Sequence, residues 1–377
     1  MKTVLVGVGQ AGGKVATALA EYDDEMGFRA VRDALAVNTA SADLRDLPLD
    51  TVLIGQDVVK GHGVGGDNEL GAEVMDSDAD EVMTALSGKI DSATEAVFVV
   101  AGLGGGTGSG GAPVLARELS RVYDVPVYAI GILPGRDEGA LYQANAGRSL
   151  KTLAREADAT ILIDNDAWRE VGDSVAEGMA AINENIARRI GLLLAAGEPV
   201  EDRSLGLGGG GLDRDVAQSV VDTSEVINTL RSGGLAAVGY AESDASDDPD
   251  ENVNVVTSTT RQALLTGTSL PNATEADAAL LVVAGRPDTL SRKGVEHARS
   301  WIEEETGSME VRGGDFPLDT DRVSSLVLLS GVERSDRVQE FMNRAADAQA
   351  EASDRDEGQR KRDAAETFRN DELDDLL

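Results

Sequence analysis

Six of the eight residues from 104 to 111 are glycine, and the other two carry hydroxyl groups. Glycine weakens helices and strands, but it suits a loop whose bare N–H groups must close around a bulky anion. The apolar run 96–100 before this loop is typical of a buried strand, and residues 112–116 after it predict a helix with Pro113 in its first turn. The pattern predicts a phosphate-binding loop. The alternative is a flexible linker, which rarely lies between a buried strand and an apolar helix.

A second glycine pattern follows the first apolar strand, where residues 7–12 read G-x-G-x-x-G. This spacing is the dinucleotide fingerprint of many oxidoreductases, although alone it is a weak signal. The fingerprint includes an acidic residue at the end of the second strand, which binds the ribose. Here strand 34–37 is followed by Asn38 instead. Because Lys14 is followed by valine, the loop is not a P-loop either. The first loop therefore predicts a nucleotide-binding loop that is neither a standard dinucleotide fingerprint nor a P-loop. An oxidoreductase stays an open alternative.

The elements that must position these loops form an alternating pattern. Apolar strands are predicted at 2–8, 34–37, 51–54, 96–100, 125–132 and 160–163, and helical stretches separate them. This alternation predicts an α/β fold with a doubly wound parallel sheet, in which ligands bind outside the carboxyl ends of the strands. Several glycine-rich or polar loops converge on that edge, and we assign residues 1–172 to a nucleotide-binding domain. The helix at 79–86 is polar, which predicts a superficial position.

Residues 173–197 predict a long central helix that joins two domains. Ser174 and Glu177 have the spacing of a capping box, and Gly197 offers a stop. About 22 residues at 1.5 Å each give a rod of roughly 33 Å. Asn183 lies beside the apolar stripe of this helix. It either needs a hydrogen-bond partner or belongs to a solvated face, and pattern alone leaves both open.

A smaller α/β or α+β domain is predicted at 218–345, after a flexible glycine-rich loop at 198–217. Its predicted strands are 253–256, 279–284, 309–312 and 324–329. A helix at 218–230 contains Asp222 and Glu225, whose spacing favours a capping box over a pair of catalytic carboxylates. Residues 346–377 are highly charged and predict a disordered acidic tail, with terminal leucines that suggest a short partner-binding peptide.

The composition excludes several classes of function. The net charge is −34, with 68 acidic and 34 basic residues, so nucleic acid and anionic lipid are poor partners. There is no cysteine, and His62 and His297 are the two histidines, which argues against thiolate chemistry and a histidine-based metal site. His62 has no partner in its own loop and is interpreted as a loop hydrogen-bonder. No signal peptide or membrane-spanning segment is evident, and the acidic composition is typical of a salt-rich cytoplasm.

The order of the loops over residues 1 to about 345 resembles that of the tubulin and FtsZ superfamily. The loop at 104–110 looks like the signature glycine loop of that superfamily. The strings at 9–14, 60–65 and 164–168 are most similar to the haloarchaeal CetZ group. The resemblance implies a tubulin/FtsZ-like fold that binds GTP or GDP with Mg²⁺ on the phosphates and no metal-binding side chain assigned; K⁺ is a second candidate cation. The implied nucleotide-binding residues are Gly9, Gln10, Ala11, Gly12, Gly13, Asn38, Gly65, Gly66, Asp67, Gly104, Gly105, Gly106, Thr107, Gly108, Ser109, Gly110, Glu138, Asn165 and Asn183.

The resemblance also implies head-to-tail polymerisation, in which one subunit holds GTP and the next brings carboxylates to the γ-phosphate. Asp222 and Glu225 match those carboxylates, which reverses the preference for a purely capping role. The implied role is a cytoplasmic GTPase that controls cell shape, with filaments near the cell envelope and with cell-shape or division proteins as candidate partners of the tail. The alternatives are an FtsZ-like division role and a nucleotide-binding scaffold with negligible hydrolysis. Val220 and Tyr142 depart from the usual asparagine and FtsZ arginine, which favours slow turnover.

Overall fold

The structure is a computed structural model that describes residues 1–168, 175–196, 221–246, 248–271, 273 and 275–350. Several sequence predictions lie outside these residues. They are Ser174 of the first capping box, the helix stop at Gly197, the loop at 198–217, Val220 and the tail beyond residue 350.

Ten strands form one continuous sheet in the order β3-β2-β1-β4-β5-β6-β7-β10-β8-β9. Strands β1 to β7 pair in parallel, β10 is antiparallel to both of its neighbours, and β9 is parallel to β8. The strands are β1 (Thr3–Val8), β2 (Val31–Asn38), β3 (Asp50–Leu53), β4 (Ala96–Gly102), β5 (Val127–Leu133), β6 (Ala159–Asp164), β7 (Leu235–Asp244), β8 (Glu275–Gly285), β9 (Glu310–Pro317) and β10 (Arg322–Arg334). The predicted doubly wound parallel sheet is confirmed for the first part of the chain.

Helices cover both faces of this sheet. They are α1 (Gly9–Met26), α2 (Ser41–Leu44), α3 (Gln56–Val59), α4 (Asn68–Ser77), α5 (Ala79–Leu86), α6 (Thr107–Val122), α7 (Ala140–Glu156), α8 (Val175–Ala196), α9 (Thr223–Leu230), α10 (Pro249–Leu265), α11 (Arg292–Thr306) and α12 (residues 336–350), with a 3₁₀ turn at Asn165–Trp168. Side chains of β4 alternate between two apolar cores, since Val97 and Val99 face α6 and α7 while Phe98 and Val100 face α1 and α8.

The predicted central helix is present as α8, with 22 residues that span about 33 Å. The described part of its apolar stripe is buried, and Ile186 and Ile190 are fully inaccessible to solvent. The helix packs against α1 so closely that a Cβ at Gly191 would lie 2.5 Å from the ring of Tyr22. The spacing of apolar residues therefore predicted the buried face of this element.

The predicted strand at 253–256 is wrong, because these residues lie in α10. Three β-branched valines in this stretch suggested a strand, but the buried positions Asn252, Val256 and Ala263 recur at helical spacing. Asp248 caps the helix by accepting from the N–H of Asp250. The strand that precedes α10 is β7 (Leu235–Asp244), which the sequence did not predict. α9 begins at Thr223 with Asp222 as its N-cap, as the capping box predicts, and residues 218–220 of the predicted helix lie outside the described residues.

Three further boundaries differ from the prediction. α6 begins at Thr107 and α1 at Gly9, so glycines form the first turns of both helices, and Pro113 lies in the interior of α6 rather than its first turn. Glycine is required there by close packing, because a Cβ at Gly108 would lie 2.7 Å from the carbonyl oxygen of Gly102. α5 lies at the surface, as predicted, with Asp80 and Glu81 exposed, but it also buries Val82 and Leu86 completely. α12 continues to residue 350, past the predicted end of the domain at 345.

Candidate functional site

A cavity of about 410 Å³ opens at the carboxyl ends of β1, β2, β4, β5 and β6. The structure brings most of the predicted nucleotide-binding residues together in its wall. These are Gly9, Gln10, Ala11, Asn38, Gly65, Gly66, Gly104, Gly105, Gly106, Thr107, Gly108, Glu138 and Asn165. Because the strands are parallel, loops that are far apart in sequence meet at a single edge of the sheet.

Five predicted residues lie beside this wall rather than in it. Glycines at positions 12, 13 and 110 serve close packing, and a Cβ at Gly110 would lie 2.0 Å from the carbonyl oxygen of Asn68 in α4. Asp67 caps α4 by accepting from the N–H groups of Glu69 and Leu70. The Ser109 hydroxyl donates to the carbonyl oxygen of Gly105. These residues shape the loops without lining the cavity.

Two helix N-termini converge on the cavity. α1 begins at Gly9 and α6 at Thr107, and neither helix has a side-chain cap on its first turn. The two ends approach closely, since a Cβ at Gly9 would lie 2.8 Å from the backbone nitrogen of Gly108. Uncapped N–H groups and the positive ends of two helix dipoles make this part of the cavity suited to an anion such as a phosphate chain.

Asn145 of α7 connects two of the glycine loops, and the sequence reading missed it. Its side chain is buried, and its Nδ2 donates to the carbonyl oxygens of Gly66 at 2.7 Å and Gly104 at 3.0 Å. These bonds hold the loops in a fixed relation, so that their N–H groups stay available to the cavity. No local pattern indicated this role, because the partners lie 79 and 41 residues away.

Asp43 lines the cavity, and the sequence did not predict this role either. Its carboxylate accepts from the amides of Gln10 at 3.1 Å and Asn38 at 3.1 Å. Behind it, the hydroxyls of Thr39 and Thr107 share a hydrogen bond of 2.7 Å. The second loop is thereby joined to the first loop and to the start of α6.

The opposite end of the cavity is suited to a base and a sugar. Asn165 lines it, and its Oδ1 is buried without a hydrogen-bond partner among the described residues. An unpaired buried acceptor fits the N–H donors of a purine edge. Glu138 accepts from the N–H of Gly135 through Oε1 at 2.7 Å. Tyr142 and His62 also line the cavity, and both are exposed.

Asn183 is not among the residues that line this cavity. It lies on α8 and is partly buried. Its guanine-reading role therefore stays a prediction.

Asp222 and Glu225 form the predicted capping box at the start of α9. Asp222 Oδ1 accepts from the N–H of Glu225 at 3.0 Å, and Glu225 Oε2 accepts from the N–H of Asp222 at 3.3 Å. The Ser224 hydroxyl also donates to Asp222 Oδ1, at 2.5 Å, and this bond holds the pKa of the Asp222 carboxyl below its ordinary value. Asp222 therefore stays ionised at neutral pH.

The start of α9 lies at the amino-end edge of the sheet. Thr223 Oγ1 donates to Glu95 Oε2 at 3.1 Å, and the same oxygen accepts from the N–H of Lys2 at 2.6 Å. Glu95 directly precedes β4, whereas the glycine loop follows β4. β4 has seven residues, which corresponds to about 23 Å. The carboxylates and the cavity thus lie at opposite ends of the same strand, and one chain cannot bring the two together.

Comparison with known proteins identifies this arrangement. A model of the Tubulin/FtsZ family GTPase domain matches residues 2–173, and a model of the tubulin-like CetZ C-terminal domain matches residues 172–347. The chain belongs to the tubulin-like CetZ family. Tubulin-like protein CetZ2 of Haloferax volcanii is 65% identical over 377 residues, which cover 100% of both chains. The oxidoreductase alternative is therefore wrong.

Two solved CetZ structures resemble the fold closely. CetZ2 from Haloferax volcanii, a GTPγS-bound protofilament, is 66% identical with a TM-score of 0.87, covering 94% of this chain and 100% of its own. CetZ1 from the same organism, a GDP-bound monomer, is 48% identical with a TM-score of 0.83, covering 93% of this chain and 100% of its own. The acidic composition agrees with the halophilic source of these CetZ relatives.

Two features are absent from the described ranges. None of their helices combines the length and the apolar character that a membrane crossing requires. No group of three or more His, Asp and Glu side chains in these ranges is arranged to hold a metal ion.

Proposed function

We propose that the protein binds GTP or GDP in the cavity, polymerises head to tail and hydrolyses GTP where two subunits meet. The observation that carries the proposal is the separation of the cavity and the carboxylates to opposite ends of β4. Translation of the chain along the strand direction brings the carboxylate edge of one subunit to the cavity edge of the next. The GTPγS-bound protofilament of the CetZ2 relative supports this arrangement.

The chemistry follows from the groups at the two edges. Backbone N–H groups of the loop at 104–108 and of the first turns of α1 and α6 bind the phosphates. Asp222 and Glu225 of the neighbouring subunit accept hydrogen bonds from a water and orient it toward the γ-phosphorus. No side chain is assigned to a metal, and a Mg²⁺ ion bound through the phosphate oxygens would supply neutralisation of the charge that develops on them; K⁺ is the second candidate cation.

On the base side, Asn165 and Asn183 read the guanine edge, and Glu138 accepts from the ribose hydroxyls. The cellular role that we propose is a cytoplasmic filament that controls cell shape. An FtsZ-like part in division is the alternative, and the acidic tail is the candidate binding segment for cell-shape or division proteins.

A second candidate function is a nucleotide-binding scaffold with negligible hydrolysis. Val220 favours it, since an apolar side chain stands two residues before Asp222 where the superfamily carries asparagine. Release of phosphate from GTP at assembling concentrations separates the two functions.

Assembly is expected to depend on the nucleotide. In multimolar KCl with Mg²⁺, the protein is expected to form sedimentable filaments with GTP and to stay in the supernatant with GDP, because the bound γ-phosphate completes the cavity edge for the next subunit. Ultracentrifugation and negative-stain electron microscopy measure this. Equal sedimentation with GTP, GDP and no nucleotide would contradict the proposal.

A further inference from the structure

A buried ion pair joins the C-terminal helix α12 to the end of β6. Arg337 is 3% exposed and Asp164 is 1% exposed. Arg337 Nε donates to Asp164 Oδ2 at 2.6 Å and its Nη2 donates to Oδ1 at 2.9 Å, which is the bidentate arrangement of arginine and carboxylate. The two residues are 173 positions apart, so this contact connects two distant parts of the sequence.

The same guanidinium contacts both neighbours of the base-facing residue Asn165. Arg337 Nη2 lies 3.4 Å from Asp166 Oδ2, which also accepts from the N–H of Arg136 at 2.8 Å. The N–H of Asp166 donates to Asp164 Oδ1 at 3.2 Å. The buried Oδ1 of Asn165 has no hydrogen bond of its own among the described residues. The position of this acceptor is therefore determined through Asp164 and Asp166.

A second set of contacts connects α12 to the loop at 133–139, which carries Glu138. Arg136 donates to Glu340 from Nε at 3.1 Å and from Nη2 at 3.0 Å, and this pairing lowers the pKa of the Glu340 carboxyl. Arg344 Nη2 donates to the carbonyl oxygen of Arg136 at 2.5 Å. α12 thus contacts both loops at the base and sugar end of the cavity.

Docking of α12 does not require the buried ion pair. Phe341 is fully buried in the main apolar core, and Ala345 packs on α7, where a Cβ at Gly147 would lie 2.5 Å from it. A buried ion pair is weak evidence for stability, because desolvation offsets most of its attraction. The polar contact of Arg337 must therefore be explained by something other than attachment of the helix.

We infer that Arg337 is a positioning residue for purine recognition: it holds Asp164 and Asp166 so that Asn165 presents its acceptor to the base. This inference rests on the proposed binding of GTP in the cavity. It assigns to α12 a part in nucleotide selection, although α12 itself does not line the cavity.

The test compares the affinities for GTP and ATP, each measured by competition with a fluorescent GTP analogue. Arg337→Met is combined with Asp164→Asn, so that no unpaired charge is left buried. We expect the preference for GTP over ATP to fall at least about tenfold, or about 1.4 kcal/mol. The displaced Oδ1 of Asn165 would lose its hydrogen bonds to the guanine N–H groups, while the contacts with the phosphates would remain. Arg337→Lys keeps the positive charge but cannot form the bidentate pair with Asp164. It is expected to retain part of the preference for GTP over ATP. The matched control is Arg292→Met, which removes an arginine that is 83% exposed on α11.

Two results would overturn the inference. One is an unchanged preference in a double variant that unfolds at the wild-type temperature. The other is an equal loss of affinity for GTP and ATP, which indicates a general structural role. If the double variant does not fold, Arg337→Lys decides between the same outcomes. A wild-type protein that does not bind GTP instead contradicts the proposed function itself.

Discussion

Replacing Glu225 with glutamine is expected to leave GTP binding intact and to lower steady-state GTP turnover at least about 100-fold. Glutamine is also found at this position of capping boxes, so its amide oxygen can still accept from the N–H of Asp222. The variant therefore removes the carboxylate while it retains the cap. Loss of one group that orients the reacting water typically costs about 10²–10⁴ in rate. Phosphate release at an assembling concentration measures the effect, and equilibrium binding of a fluorescent GTP analogue measures the unchanged step.

A matched control is Asp248→Ala, which removes the acidic cap of α10. It should lower stability by about 1 kcal/mol, as loss of an N-cap usually does, without affecting turnover per assembled chain. Wild-type turnover in the Glu225→Gln variant would remove this carboxylate from the reaction and leave it a capping role alone.

Gly105→Val is expected to weaken GTP binding at least about 100-fold while the free protein stays as stable as the wild type. Gly105 lines the cavity, its φ lies outside the left-handed region, and a Cβ there meets nothing within 4 Å. A valine side chain is therefore tolerated by the fold, but it occupies space among the N–H groups that bind the phosphates. Equilibrium binding and the thermal midpoint without nucleotide measure the two effects.

Gly110→Ala in the same loop is expected to behave in the opposite way. A Cβ at Gly110 meets the carbonyl oxygen of Asn68 at 2.0 Å and the nitrogen of Ala72 at 2.6 Å, so α6 and α4 must separate. Overpacking of this kind typically costs about 1–3 kcal/mol of the free energy of unfolding. If Gly105→Val destabilised the free protein as much as Gly110→Ala does, the assignment of Gly105 to the cavity wall would be wrong.

The sequence predicted those features that depend on local patterns. Alternating strands and glycine loops gave the parallel sheet and the edge where ligands bind, because neighbouring residues carry the information. The spacing of apolar residues predicted helix α8. The three-residue spacing of Asp222 and Glu225 predicted the capping box at the start of α9. The strand predicted at 253–256 is wrong because β-branched residues disfavour a helix only weakly, and burial of one helical face, which includes Asn252, Val256 and Ala263, outweighs that propensity.

Long-range contacts could not be predicted in this way. Asn145 reaches two loops 79 and 41 residues away, and Arg337 reaches Asp164 across 173 residues. The location of Asp222 at the far end of β4 depends on the contact of its neighbour Thr223 with Glu95, which is 128 residues away in the sequence. Such contacts exist only after the sheet has formed, so a single sequence carries no periodic signal for them.

The central claim is that each hydrolytic site is shared by two chains, and a mixing experiment tests it most directly. Wild-type protein is held below the concentration at which its GTP turnover per chain begins to rise, and an excess of Glu225→Gln is added. The variant has an intact cavity, so wild-type carboxylates can act on the GTP that it holds. We expect phosphate release per wild-type chain to increase severalfold as mixed filaments form. The shared site is contradicted if the two proteins sediment together but phosphate release per wild-type chain is the same as without the variant.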